Sequence, residues 1–112
     1  MIATKSSTVV EFVKKLRDSK KLAKCAKQGD WAVKVAVIRN NFTSSETCSE
    51  LSHDEDTMVR YAVAQSSRTS KEDLDYLSND KQWIVRLGVL RNPNTREETR
   101  RKLEQDPILR GR

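Results

Sequence analysis

Residues 31–41 read Trp-Ala-Val-Lys-Val-Ala-Val-Ile-Arg-Asn-Asn (WAVKVAVIRNN), and taken alone they spell a β-strand. Val33, Val35 and Val37 alternate, Ile38 is β-branched, and a polar pair ends the run. A strand here would make a small mixed domain with a sheet edge to protect. The rest of the chain decides otherwise, because the stretch recurs.

Val33, Val59 and Val85 stand in matching contexts 26 residues apart. In that register Lys34, Arg60 and Arg86 align, as do Ala36, Ala62 and Gly88, then Val37, Val63 and Val89. Thr43, Thr69 and Thr95 follow, then Glu46, Glu72 and Glu98, then Leu51, Leu77 and Leu103; Asp54, Asp80 and Asp106 close each unit. Across the three copies the shared apolar positions of the Val-rich segment are 32, 33, 36 and 37 and their equivalents. That spacing is one face of a helix, not an alternation. The slot held by Ala, Ala and Gly keeps small side chains, as helices that cross closely require. Asn92-Pro93 stops the third copy, since the residue before proline is driven out of the α region. Thr-x-x-Glu opens a second helix in each unit as a capping box: Thr43 with Glu46, Thr69 with Glu72, Thr95 with Glu98. WAVKVAVIRNN is therefore predicted to be a helix, its β-leaning residues overruled by burial.

The regular units span 30–54, 55–80 and 81–106. Residues 1–29 read as a degenerate first unit. There Thr8-Val-Val-Glu11 offers another capping box, and Val9, Phe12, Val13 and Leu16 form a stripe. Leu22 and Cys25 precede Cys48 and Leu51 by one period, and Gly29 suits a helix end. In the last unit Arg100 takes the slot of Cys48 and Leu74, trading an apolar anchor for charge as a terminal cap does. Residues 107–112 form a tail in which Ile108 and Leu109 start a partial further turn. Residues 1–112 are thus expected to be a single helical-repeat domain.

Asp80-x-x-x-x-Val85-Arg86, Asn92-Pro93-Asn94-Thr95-x-x-Glu98 and Leu103-x-x-Asp106 resemble the leucine-rich repeat variant (LRV). That is a bacterial helical repeat related in architecture to HEAT-type solenoids. The resemblance covers residues 30–106 well and the N-terminus loosely. It implies an all-α fold: a short right-handed α-solenoid of about four two-helix repeats, one helix of each pair short and of 3₁₀ character. It fixes no function. The founding member holds an iron–sulfur centre on an N-terminal cysteine cluster. Cys25 and Cys48 alone give no ground to carry that over, and no cofactor is expected.

A chain of 112 residues supports one domain. Three glycines and two prolines argue against an all-β chain of tight turns and against a Gly-rich phosphate loop. No long apolar run suggests a signal peptide or a membrane span, so the cytoplasm is the default location. The net charge of +6 invites an acidic partner, but it is unevenly placed. Residues 1–30 hold eight Lys/Arg against three acids, residues 31–80 five against nine, and residues 81–112 nine against four. Basic ends around an acidic middle match one continuous phosphate-binding stripe poorly.

Cys25 and Cys48 fall in slots otherwise filled by leucine, which reads as buried hydrophobes in preference to a redox pair. His53 occupies a polar slot shared with Asn79 and Gln105, and no nucleophile is placed to use it. Without an acid–base pair, a Walker loop or metal spacing, enzyme activity is not expected. The ladder Lys34, Arg60 and Arg86 has two readings. In one, each cation pairs with turn acids such as Asp54, Asp56 and Asp80. In the other, a helical wheel groups Trp31, Lys34 and Ile38, then Thr57, Arg60, Tyr61 and Ala64, then Trp83, Arg86, Leu87 and Leu90. Stacked, these make a strip of the residue types that dominate binding hot spots. The sequence is read as a non-enzymatic scaffold binding another protein through Trp31, Lys34, Arg60, Tyr61, Trp83 and Arg86. The alternative is nucleic acid, held by phosphate contacts from Lys14, Lys20, Lys21, Lys24, Arg96, Arg100, Arg101 and Lys102. Self-association through the end faces is a further option, and a membrane is not an expected partner.

Overall fold

The computed structural model describes residues 5–111, with side chains from residue 8 onward. Among these residues there are eight α-helices and no strand. They are α1 (Lys5–Lys15), α2 (Ser19–Gln28), α3 (Trp31–Arg39), α4 (Ser45–Leu51), α5 (Thr57–Gln65), α6 (Lys71–Leu77), α7 (Trp83–Arg91) and α8 (Glu97–Glu104). No helix among them is long and apolar enough to cross a membrane.

WAVKVAVIRNN forms α3 and the turn that follows it. Val33, Ala36 and Val37 are buried there, as are Val59, Ala62 and Val63 in α5 and Val85, Gly88 and Val89 in α7. Full burial of a valine side chain contributes about 1.5–3 kcal/mol. Its helix propensity falls short of alanine's by at most about 0.7 kcal/mol, so burial decides the conformation.

The longer helices lie side by side in chain order, α1 on α3, α3 on α5 and α5 on α7. The others pack against that row: α2 on α3, α4 on α5, α6 on α5 and α7, α8 on α7. The molecule measures 45 × 30 × 19 Å, a slab two helices thick. A methyl group added at Gly88 would meet Ala64 Cβ at 2.9 Å, so α5 and α7 touch where only a hydrogen fits. Gly29 ends α2 in an extended conformation, φ −85°, not a left-handed one. Glycine is needed there because a Cβ would run into Val33 Cγ1 at 2.3 Å.

The carbonyls at the C-terminal ends of the long helices are satisfied by the next unit. Asn40 Nδ2 donates to Val13 O and Leu16 O, both at 2.9 Å. Arg68 donates to the carbonyls of Ile38, Asn40, Asn41 and Thr43. Asn92 Nδ2 donates to Ala64 O and Ser66 O, and Asn94 Nδ2 to Thr69 O. At α7 the donor comes from the same unit: Arg100 bonds Leu90 O, Asn92 O and Thr95 O. These contacts place the C-termini of α1, α3, α5 and α7 on one edge, so the four helices run in the same direction.

Four expectations need correction. Thr43, Thr69 and Thr95 do not cap the short helices. Each hydroxyl donates to a carbonyl six residues back, Val37 O, Val63 O or Val89 O, at 2.5–2.6 Å. Each of these helix-end carbonyls also accepts the amide three residues on, from Asn40, Ser66 or Asn92, and the buried threonine hydroxyl takes its second lone pair. The following serine then caps: Ser44 accepts from Thr47 N and Ser70 from Asp73 N, while Arg96 in the third copy gives no side-chain cap. Thr8 likewise starts nothing, since α1 already begins at Lys5. Within α1 it is Val10 and Val13, with Leu16 beyond its end, that face the core; Val9 and Phe12 are exposed. The short helices are α-helical, not 3₁₀, closing i→i+4 bonds such as Cys48 N to Ser44 O and Leu74 N to Ser70 O.

Candidate interaction surface

The basic ladder turns inward to the acidic turns. Lys34 Nζ donates to Asp54 Oδ2 at 2.6 Å, and Arg86 Nε to Asp106 Oδ2 at 2.9 Å. Arg60 engages both oxygens of Asp80, Nε to Oδ2 at 2.8 Å and Nη2 to Oδ1 at 3.2 Å. Each carboxylate also accepts an amide two residues on, from Asp56, Gln82 or Ile108. Arg60 Nη1 reaches back to Asp54 O and Glu55 O, and Arg86 Nη1 to Asp80 O, so these arginines tie one turn to the next. The hydrogen bond to Asp80 raises the Arg60 pKa above its ordinary value. The Ile108 amide, and after it Arg86, hold Asp106 below the usual carboxylate range against the opposing effect of desolvation. Asp56 is not part of the ladder; it caps α5 by accepting from Met58 N.

The proposed strip is thus divided. Arg60 is buried and Lys34 and Arg86 are half-buried in ion pairs. Ile38 and Ala64, grouped with the outward side, are buried because the next unit covers the helix ends and bonds their carbonyls. Leu87 is buried too, and Tyr61 packs against the core with its hydroxyl accepting from Gln65 Nε2. Trp31 and Trp83 remain outside, 52% and 38% exposed, at the first positions of α3 and α7. Met58, at the second position of α5 between them, is 47% exposed. The sequence pattern puts it on the shared apolar face with Ala32 and Ile84, and its exposure corrects that reading.

The basic residues named for nucleic acid also divide. Arg96 pairs with Glu72 and Asp75, Arg101 with Glu97, and Lys102 Nζ donates to Asn79 Oδ1. Arg100 caps α7 as described. Lys14 pairs with Glu11, whereas Lys20, Lys21 and Lys24 are exposed with no ion pair among the described residues. Arg17, Arg39 and Phe42 were not singled out from the sequence, and they gather near the ends of α1 and α3.

Cys48 is buried, and desolvation pushes its thiol pKa up; Cys25 is half-buried, and both are free thiols. The exposed His53 ring lies 4.3 Å from that of Tyr76. Among the described residues no group of three or more His, Cys, Asp or Glu is placed to hold a metal ion. In comparisons with known proteins, no family model, no curated protein and no solved structure matches the chain.

Proposed function

We propose that the chain is a short α-solenoid of the LRV/HEAT-like kind and serves as a non-enzymatic scaffold that binds another protein. The 26-residue spacing shared by the ladder bonds, the threonine hydroxyl bonds and the small-residue slot supports the solenoid reading. One observation carries the binding reading: Trp31, Met58 and Trp83 stand exposed at the starts of three neighbouring parallel helices. With helix axes about 8–10 Å apart, the two indoles are separated by roughly 16–20 Å. Large apolar side chains exposed together on a rigid support mark an interaction site, and Trp and Met are enriched at such sites. In this reading Lys34, Arg60 and Arg86 brace the edge and Tyr61 flanks it. Two free thiols suit a reducing compartment such as the cytoplasm.

The test is affinity capture from host extract, treated with nuclease, using the native chain beside Trp31→Ala/Trp83→Ala. A specific band that the double variant loses, with its thermal melt preserved, is the expected result. A band retained at equal strength by the folded double variant overturns the proposal.

A further inference from the structure

The positive charge is concentrated in the first third of the chain. Residues 1–39 hold ten Lys/Arg against three acids, and residues 40–112 twelve against thirteen. At the C-terminal edge of α1 and α3 that surplus meets a cleft of about 420 Å³. Lys14, Lys15, Arg17 and Arg39 line it, Asn40 and the chain around Leu16 form part of its wall, and Phe42 stands at its side. Lys14 is paired with Glu11; Lys15, Arg17 and Arg39 have no ion pair among the described residues. Phe42 is 51% exposed, with the Arg17 guanidinium 5.9 Å from its ring centroid.

Cations at helix C-termini ordinarily complement the helix dipole. At α3 Arg68 already fills that role, while at α1 the neutral Asn40 bonds the carbonyls and Lys14 and Lys15 face the dipole. Asn40 bonds the end carbonyls of α1, and Arg68 bonds four carbonyls at and just beyond the end of α3. Lys15, Arg17 and Arg39 gather around one cleft without a carboxylate partner among the described residues, and an anion placed among them would relieve their repulsion. The exposed ring narrows the class of anion. Phosphates beside an aromatic face and a guanidinium plane are how unpaired nucleic-acid strands are held, with backbone on the cations and a base on the ring. An acidic side chain does not stack on the ring, and a duplex keeps its bases paired inside the helix, away from Phe42. Beyond Arg17 the chain enters α2, where the exposed Lys20, Lys21 and Lys24 have no ion pair among the described residues.

We propose that the cleft between the ends of α1 and α3 binds single-stranded nucleic acid, with phosphates on Lys14, Lys15, Arg17 and Arg39 and a base stacked on Phe42. This site stands apart from the Trp31–Trp83 edge, at the opposite ends of the same helices, and does not depend on it.

The test is fluorescence anisotropy of the full chain with labelled oligothymidylate and oligouridylate of about twelve nucleotides across a salt series. Four phosphate contacts predict a slope of log K against log salt of about −3, or roughly a 50-fold loss between 50 and 200 mM salt. Arg17→Glu/Arg39→Glu should weaken binding at least about tenfold. Phe42→Ala should weaken it by about 5- to 150-fold while leaving the salt slope in place. Arg110→Glu, exposed and away from the cleft, should leave binding unchanged, and thermal melts verify that every variant is folded. Binding of either oligomer supports the proposal, and their ratio assigns the sugar. Undiminished binding by folded Arg17→Glu/Arg39→Glu or Phe42→Ala overturns it. So does tighter binding of a blunt duplex, polyglutamate or phosphatidylserine vesicles than of both oligomers.

Discussion

Replacing Arg60 by alanine is the sharpest probe of the ladder. Its side chain is 9% exposed, and it donates to Asp80, to the carbonyls of Asp54 and Glu55 and to the Thr57 hydroxyl. Arg60→Ala leaves the Asp80 carboxylate, 7% exposed, without its cation. Removing one member of a buried pair in this way lowers stability by about 3–5 kcal/mol. Unfolding entropy near 60 °C is about 2.1 cal/mol/K per residue, so the 112-residue chain loses about 1 °C of Tm for every 0.24 kcal/mol. The expected fall is therefore about 13–21 °C, read by calorimetry or by circular dichroism at 222 nm. Lys34→Ala removes one contact from a side chain 24% exposed and should cost about 1 kcal/mol, or about 4 °C. Arg86→Ala, at 15%, belongs between them. Arg60→Lys keeps a single ion pair, as Lys34 does naturally, and should recover part of the loss because an ammonium lacks the guanidinium's two-pronged geometry. If Arg60→Ala melts within about 4 °C of the native chain, or if Lys34→Ala is the more damaging, the ladder does not brace the turns.

Two further outcomes follow from the contacts described. Thr69→Val takes from the buried Val63 carbonyl one of its two donors, leaving the Ser66 amide, and should lower stability by about 0.5–1.5 kcal/mol, more than Glu72→Ala, whose exposed ion pair contributes at most a few tenths. Urea denaturation of both variants decides, and the reverse ranking would reinstate Thr69 and Glu72 as a capping pair. Asp106 has a lowered pKa in the folded chain, so the unfolded chain takes up its proton first as pH falls. Its contribution is present above about pH 4 and is lost as pH drops through the folded value. Urea midpoints between pH 7 and 3 should fall more steeply for the native chain than for Asp106→Asn, and parallel curves would refute this.

The period made most of the fold legible. A 26-residue recurrence shows which positions share a surroundings, so comparing Val33, Val59 and Val85 turned a strand-like run into one helix face. The small slot at Ala36, Ala62 and Gly88 announced a close crossing for the same reason, and the spacing of Lys34 to Asp54 allowed the pairing that occurs. What stayed hidden depends on groups outside the local pattern. Thr43 and Ser44 are both good caps, and the choice between them is made by the Val37 carbonyl six residues back. In α1, part of the degenerate first unit, apolar residues stand on two faces, and packing against α3 selected Val10 and Val13 over Val9 and Phe12. The helical wheel placed Ile38 outside because it ignores the neighbouring unit that covers a helix end.

Parallel alignment explains why the two proposed binding surfaces fall where they do. Side by side in one direction, the long helices gather their positive dipole ends on one edge and their negative ends on the other. The N-terminal edge answers with Asp30, Asp56 and the turn acids, and the ladder cations then neutralise Asp54, Asp80 and Asp106. The ladder thus keeps Asp54, Asp80 and Asp106 within the fold, and between the remaining charges that edge offers a partner its apolar side chains: Trp31, Met58 and Trp83. At the opposite edge Asn40, Arg68, Asn92 and Arg100 satisfy the carbonyls with side chains of the fold itself. Arg17 and Arg39 therefore come in addition to the side chains that bond the ends of α1 and α3. A nine-residue helix spans about 13 Å, which puts a chemically distinct surface at either end of α3. A partner held at the tryptophan edge would thus leave the basic cleft open.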